Sequence, residues 1–204
     1  MKLSTLPLII LAAGKSTRMG FPKGLMPYRG QKLLQYQINQ YFKLGGKKVI
    51  VVLGEHLETY QKNIPAIKNC EIIINDQIES GPFYSLQLAL TLLQNTSAFF
   101  LIPMDSPSPN PSVWRKLARA HTTSFFISKP MLQEKGGHPI IIDKQFYNTL
   151  EKANPKSDEG RLDFQIHQLD KKYVNLVQVN DPTIQLNLNS PTTNQGPQRK
   201  PRKT

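Results

Sequence analysis

The chain carries a single cysteine, Cys70, in 204 residues. One thiol excludes an intramolecular disulfide and a cysteine-built metal site, and it suits a reducing cytoplasm. Its place ahead of Glu71-Ile72-Ile73-Ile74 reads as a buried strand residue, not a nucleophile. No apolar run reaches the roughly 20 residues of a membrane-spanning helix. There is no internal repeat and no heptad run. Acidic residues are scarce: 14 against 26 Lys and Arg, a formal charge of +12. Four of the cations, Arg199, Lys200, Arg202 and Lys203, fall in residues 191–204, which hold no acid. The rest of the chain stays basic, which fits either polyanion contact or solvated surface charge. Nucleic acid is not favoured, because basic and aromatic residues do not interleave.

What is present is concentrated near the N-terminus. The apolar run Leu6-Pro7-Leu8-Ile9-Ile10-Leu11 leads into Ala12-Ala13-Gly14-Lys15-Ser16-Thr17-Arg18-Met19-Gly20, then Pro22-Lys23, closed by Gly30. A strand that ends in a small-residue, cationic loop presents backbone N–H groups to phosphate. A Walker A loop fails, since Ile9 stands five residues before Gly14 where Gly is needed. The dinucleotide pattern fails too, with Ser16 in place of its second Gly. Lys2 followed by Leu6 to Ala13 has the outline of a secretory signal. Cleavage there would remove the strand, and the cations beyond it argue for a strand instead.

Periodicity lays out an α/β chain. Helices are expected over Gln31–Leu44, Leu57–Lys62, Pro82–Gln94, Val113–Ala120, Gln145–Lys152 and Arg161–Leu169. Strands are expected over Lys48–Leu53, Ile72–Ile74, Phe99–Ile102, Phe125–Ile127, Pro139–Ile142 and Tyr173–Val179. Their alternation points to parallel βαβ units, and their continuous apolar character to burial on both faces. From Ser190 onward Pro, Thr, Asn, Gln and basic residues dominate, so residues 1–190 read as the domain and 191–204 as a disordered tail.

Four pieces of potential chemistry fall at the carboxyl ends of strands, where open α/β sheets bind ligands. They are the first loop, Pro103-Met104-Asp105-Ser106-Pro107, the Gly81-to-Leu86 stretch, and Gly136-Gly137-His138-Pro139 with Ser157-to-Arg161. A lone Asp between prolines suits Mg²⁺, which takes one or two carboxylates and completes its shell with phosphate and water.

The first loop resembles the L-A-A-G-x-S-x-R-M-G-x-x-K signature of MobA-like NTP transferases, the group of molybdenum cofactor cytidylyl- and guanylyltransferases. The resemblance runs over about residues 6 to 191. It implies a three-layer α/β/α Rossmann-like sandwich with a mostly parallel sheet, nucleotide-diphospho-sugar transferase-like. Leu11, Ala12, Ala13, Gly14, Lys15 and Ser16 would then hold the triphosphate, with Arg18 and Lys23 as the catalytic cations. Met-Asp-x-Pro puts Mg²⁺ on Asp105. Gly81 and Ser85 would line the base and ribose pocket. Gly137-His138-Pro139 matches the cytidylyltransferase branch and gives His138 to the acceptor. Asp158, Gly160 and Arg161 match that branch loosely.

Asn189 maps onto the family's second metal-approaching residue. Relatives with Asp there attract Mg²⁺ more strongly than an amide does. The family follows the Pro matched by Pro191 with acids that open a final helix; Thr192-Thr193-Asn194 stands after Pro191 here, so that helix is expected to be lost. The implied activity is cytoplasmic NMP transfer from CTP to molybdopterin with release of pyrophosphate. GTP, a sugar-phosphate acceptor, or a nucleotide-binding module that has lost turnover are the alternatives.

Overall fold

The computed structural model describes residues 1–14, 20–93 and 95–188. In chain order its elements are β1 (Leu8–Ala12), β2 (Pro27–Tyr28), β3 (Gln31–Lys32), α1 (Leu33–Lys43), β4 (Val49–Leu53), α2 (Leu57–Asn63), β5 (Glu71–Ile74) and α3 (Gly81–Leu90). There follow β6 (Ala98–Pro103), α4 (Pro111–Ala120), β7 (Ile127–Leu132), β8 (Lys135–Gly136), β9 (Ile140–Asp143), α5 (Tyr147–Lys152), α6 (Leu162–His167) and β10 (Val174–Gln178).

Successive strand residues face opposite ways, so an apolar run supplies two cores at once. Leu8, Ile10, Val49, Val51, Phe100 and Ile102 pack with α1, α2 and α4 on one face. Ile9, Ile50, Val52, Phe99 and Leu101 pack with α3 and α5 on the other, and α6 leans on that side through Leu162 and Ile166. The result is three layers, helix on sheet on helix.

The strand order is β10-β7-β9-β6-β1-β4-β5, with β8 beside β7. β1 lies parallel to β4 and β6, β4 parallel to β5, and β7 parallel to β10. β9 runs antiparallel to both β6 and β7. The expectation of a mostly parallel sheet holds, with β9 and the two-residue β8 reversed. β1 sits centrally, and the chain doubles back on either side of it, so the β1 and β6 ends form the crevice of the sheet.

Several boundaries differ from the sequence reading. The strand expected at Phe125–Ile127 begins at Ile127 and runs on to Leu132. Phe126 instead stacks on Tyr173 at 4.3 Å, and its N–H bonds the Tyr173 carbonyl. Pro130 hid the true strand. Its carbonyl accepts the Gly137 N–H. Its missing N–H shares that edge, where pairing with β9 has already ended at Ser128.

The helix expected to reach Gln94 ends at Leu90, and Gln94 itself lies outside the described residues. Residues Gln31 and Lys32, expected in a helix, form β3. Arg29 and Gly30 (φ 47° and 77°) turn it back on β2. β5 is an edge strand and is not buried on both faces: Ile74 is 46% exposed. Cys70 is half-buried ahead of β5 rather than in a strand, and burial pushes its thiol up to about 12. Among the described residues no helix is long and apolar enough to cross a membrane.

Candidate active site

A cleft of about 1050 Å³ opens where β1, β6, β7 and α3 end or begin. Leu11, Ala12, Ala13 and Gly14 form one wall at the end of β1. A Cβ built on Gly14 would meet nothing within 4 Å, so no neighbouring side chain among the described residues packs against this position. The Leu11 carbonyl accepts the Met104 N–H, which ties this wall to the turn carrying Asp105. Lys15, Ser16 and Arg18 lie outside the described residues.

Lys23 stands in a short 3-10 turn, Lys23–Leu25, held from behind by α2. The Gly24 N–H donates to the Tyr60 hydroxyl at 3.3 Å. A Cβ on Gly24 would fall 2.7 Å from that tyrosine's ring, so Gly is required for the turn to sit on α2. Asp105 follows β6 directly, in the turn after Pro103. Buried Gln37 of α1 anchors this turn, its Nε2 donating to the Ser106 carbonyl at 2.7 Å and the Pro103 carbonyl at 3.4 Å. The two turns converge, and Lys23 Nζ lies 3.8 Å from Asp105 Oδ2. The side chains are 17% and 27% exposed, so both ions still reach the cleft.

The N-terminus of α3 points into the same space. Gly81 has φ 78°, a conformation that glycine adopts without strain, and it lines the cleft with Ser85. Ser85 is buried, and its Oγ accepts from Asn75 Nδ2 at 2.8 Å. Asn75 is also almost wholly buried, and its Oδ1 takes the Gln77 N–H. This pair fixes the approach to α3.

At the far end, His138 follows Gly137, whose tetrahedral position is closed. A Cβ there would lie 2.1 Å from the Ile184 carbonyl oxygen. His138 donates its own N–H to that oxygen, and its Nδ1 lies 3.5 Å from Ser106 Oγ. Burial holds the imidazole below its ordinary pKa. The nearby Asp105 charge opposes this shift and Lys129 adds to it. Gly160 and Arg161 line this end as well. Arg161 is clasped by Asp163, with Nη2 to Oδ2 at 2.6 Å. Asn189 lies outside the described residues, but the N–H of Leu188 donates to the Asp105 carbonyl at 2.8 Å.

One cleft therefore gathers Leu11 to Gly14, Lys23, Gly81, Ser85, Asp105 and His138. Sequence reasoning missed Gln37, Tyr60 and Lys129. Gln37 carried one usable signal, an amide on the buried stripe of an amphipathic helix. The other two had none.

No group of three or more His, Cys, Asp or Glu among the described residues could hold a metal ion by itself. Asp105 alone suits an ion that arrives with phosphate and water ligands. A second grouping has the composition of a nucleophilic triad. His121 Nδ1 lies 2.8 Å from Ser128 Oγ, and its Nε2 lies 3.4 Å from Asp143 Oδ2. These residues are 1%, 0% and 2% exposed, so no substrate reaches them and the grouping is part of the packing under α4.

Similar proteins bear on this cleft. A molybdenum cofactor cytidylyltransferase from Escherichia coli is 27% identical over 142 residues, 70% of this chain and 72% of that one. A bifunctional IPC transferase and DIPP synthase from Thermococcus kodakarensis is 44% identical over 84 residues, 40% of this chain and 19% of its own length. A bifunctional GlmU from Cellvibrio japonicus is 28% identical over 119 residues. That match spans 57% of this chain and 26% of GlmU, so this chain corresponds to a minor part of the two bifunctional relatives.

Among solved structures, Rv0371c from Mycobacterium tuberculosis superposes with a TM-score of 0.73 at 21% identity, over 87% of this chain and 89% of that one. The same protein has also been solved in complex with manganese. The fold is that of the nucleotide-diphospho-sugar transferases. Residues 8–171, from the first strand to beyond the last helix, match the MobA-like NTP transferase domain, and the chain belongs to that family of nucleotidyltransferases.

Proposed function

We propose that this nucleotidyltransferase moves a nucleoside monophosphate from an NTP, CTP first, to a phosphorylated small-molecule acceptor such as molybdopterin. The observation that carries the reading is the meeting of Lys23 and Asp105 at 3.8 Å, from separate turns, in a cleft that Leu11 to Gly14 also line. The cytidylyltransferase relative and the Gly137-His138-Pro139 sequence support CTP and molybdopterin.

The triphosphate would lie along Ala12 to Gly14, with the N-terminus of α3 adding favourable dipole. Lys23 and Arg18 would neutralise charge growing on the α-phosphate and the leaving group. Asp105, with Asn189 as second ligand, would hold Mg²⁺, which supplies charge neutralisation between phosphate oxygens when bound. Manganese in a structural relative supports a divalent ion. Gly81 and Ser85 would bound the ribose and base, and His138 the acceptor.

An acceptor phosphate oxygen would attack the α-phosphorus in line. A new P–O bond forms, the bond to the β-phosphate oxygen breaks, and pyrophosphate departs with the electron pair. Positioning supplies most of the rate, since no covalent enzyme intermediate is needed. Such an enzyme works in the cytoplasm, where its NTP is found. Residues 191–204 would be a tail outside the catalytic domain.

A pyrophosphate-release assay with each of the four NTPs, Mg²⁺ and a set of acceptors including molybdopterin tests this. Release with CTP plus molybdopterin is expected. Nucleotide binding without release under every condition would favour the module without turnover.

A further inference from the structure

The described lining of the cleft includes three cations besides histidine: Lys23, Lys129 and Arg161. Two are answered from within the chain. Lys23 faces Asp105, and Arg161 is forked onto Asp163 through Nε at 3.2 Å and Nη2 at 2.6 Å. Lys129 has no carboxylate at ion-pair distance among the described residues. The remaining stretches, residues 15–19, 94 and 189–204, contain no Asp or Glu side chain.

Lys129 is also placed for a ligand. Strand alternation sets it on the same face as Ile127, which belongs to the α3 and α5 core. Its stem passes Gly136, where a Cβ would sit 3.5 Å from its Cδ and Cε, so glycine leaves the ammonium room to move along the cleft. His138 feels both the Lys129 and the Asp105 charge, so the three share one end of the site. A half-buried lysine with no carboxylate at ion-pair distance among the described residues leaves its ammonium able to take an anion from the cleft. His138, kept neutral by burial, can offer one N–H beside it.

We propose that Lys129 sets acceptor specificity by seating the phosphate monoester of the acceptor beside His138. The proposal rests on the nucleotidyltransferase reading and deepens it. The Lys129 ammonium sets one positive charge against the phosphate of a monoester, and a neutral alcohol would leave it unpaired. It predicts that acceptors are dianions and that acceptor affinity, unlike nucleotide affinity, depends on this one side chain.

The test is calorimetric titration of phenyl phosphate, at constant ionic strength, into wild type, Lys129→Met and Lys129→Arg. The methionine variant should bind roughly tenfold or more weakly, and the arginine variant within a few fold of wild type. Equal binding to wild type and Lys129→Met overturns the proposal, because the anion then sits elsewhere. So does failure of wild type to bind. A parallel titration with α,β-methylene-CTP should give the same affinity in wild type and Lys129→Met, which shows the nucleotide seat and fold intact. If wild type fails to bind the CTP analogue, the nucleotide reading falls, while the phenyl phosphate comparison still judges Lys129. If Lys129→Met does not fold, Lys129→Gln is read in the same way.

Discussion

At the scale of single residues, Lys23 and Asp105 form a partly exposed ion pair. Such pairs contribute about 0–1 kcal/mol to stability. Their cost of convergence is therefore better explained by what they do in the cleft than by folding. Lys23→Met and Asp105→Asn should each lower kcat/KM about 100-fold or more, with little change in melting temperature. Steady-state pyrophosphate release beside a thermal melt checks both halves.

His121 and His138 behave differently. Burial holds both below the ordinary histidine value, against the pull of Asp143 on the first and Asp105 on the second. In the unfolded chain they take up protons as pH falls through about 6.5. The folded chain resists, so the unfolded state binds more protons in that window. The stability these neutral rings contribute is complete above about 6.5 and is lost as pH falls through their lower folded values. Urea midpoints should drop between pH 7.5 and pH 5.5, and the slope should be smaller in His121→Gln. An unchanged slope would remove His121 from the account.

At the scale of elements, the turns that carry Lys23 and Asp105 are short and borrow their rigidity. α1 holds the Asp105 turn through Gln37, and α2 holds the Lys23 turn through Tyr60. Gln37→Met keeps the volume but deletes the bonds to Ser106 and Pro103. It should raise the KM for NTP several-fold while leaving most of the stability, since it also removes a buried amide oxygen that has no partner among the described residues. Kinetics with CTP varied would show this as a change in KM larger than that in kcat. Gly137→Ala should be harsher, because its Cβ would strike the Ile184 backbone. Overpacking against backbone costs about 1–3 kcal/mol, and chemical denaturation should report a loss of that size.

At the scale of the whole molecule, the sheet brings residues from opposite ends of the chain to one edge, and how far that was legible varied. The β1 and β4 strands were plain, because Leu8 to Leu11 and Val49 to Leu53 are apolar on both faces. The shared place of Ala12 to Gly14 and the Asp105 turn was legible because parallel strands must present their carboxyl ends together. β7 was not legible, because Lys129 and Pro130 break its apolar run where the strand leaves the core for the cleft. The same break concealed Lys129 as a cleft residue. Gln37 and Tyr60 act across long sequence separations, and nothing in local spacing points to a partner on another element.

The central claim is that a nucleoside triphosphate and its divalent ion are gripped between the β1 loop and Asp105. Calorimetric titration of CTP into wild type, Lys23→Met and Asp105→Asn, with and without Mg²⁺, tests it most directly. Wild type should bind saturably and more tightly with Mg²⁺, Lys23→Met should bind weakly under both conditions, and Asp105→Asn should lose the gain from Mg²⁺. Equal affinity in all three proteins, with or without the ion, would contradict the account.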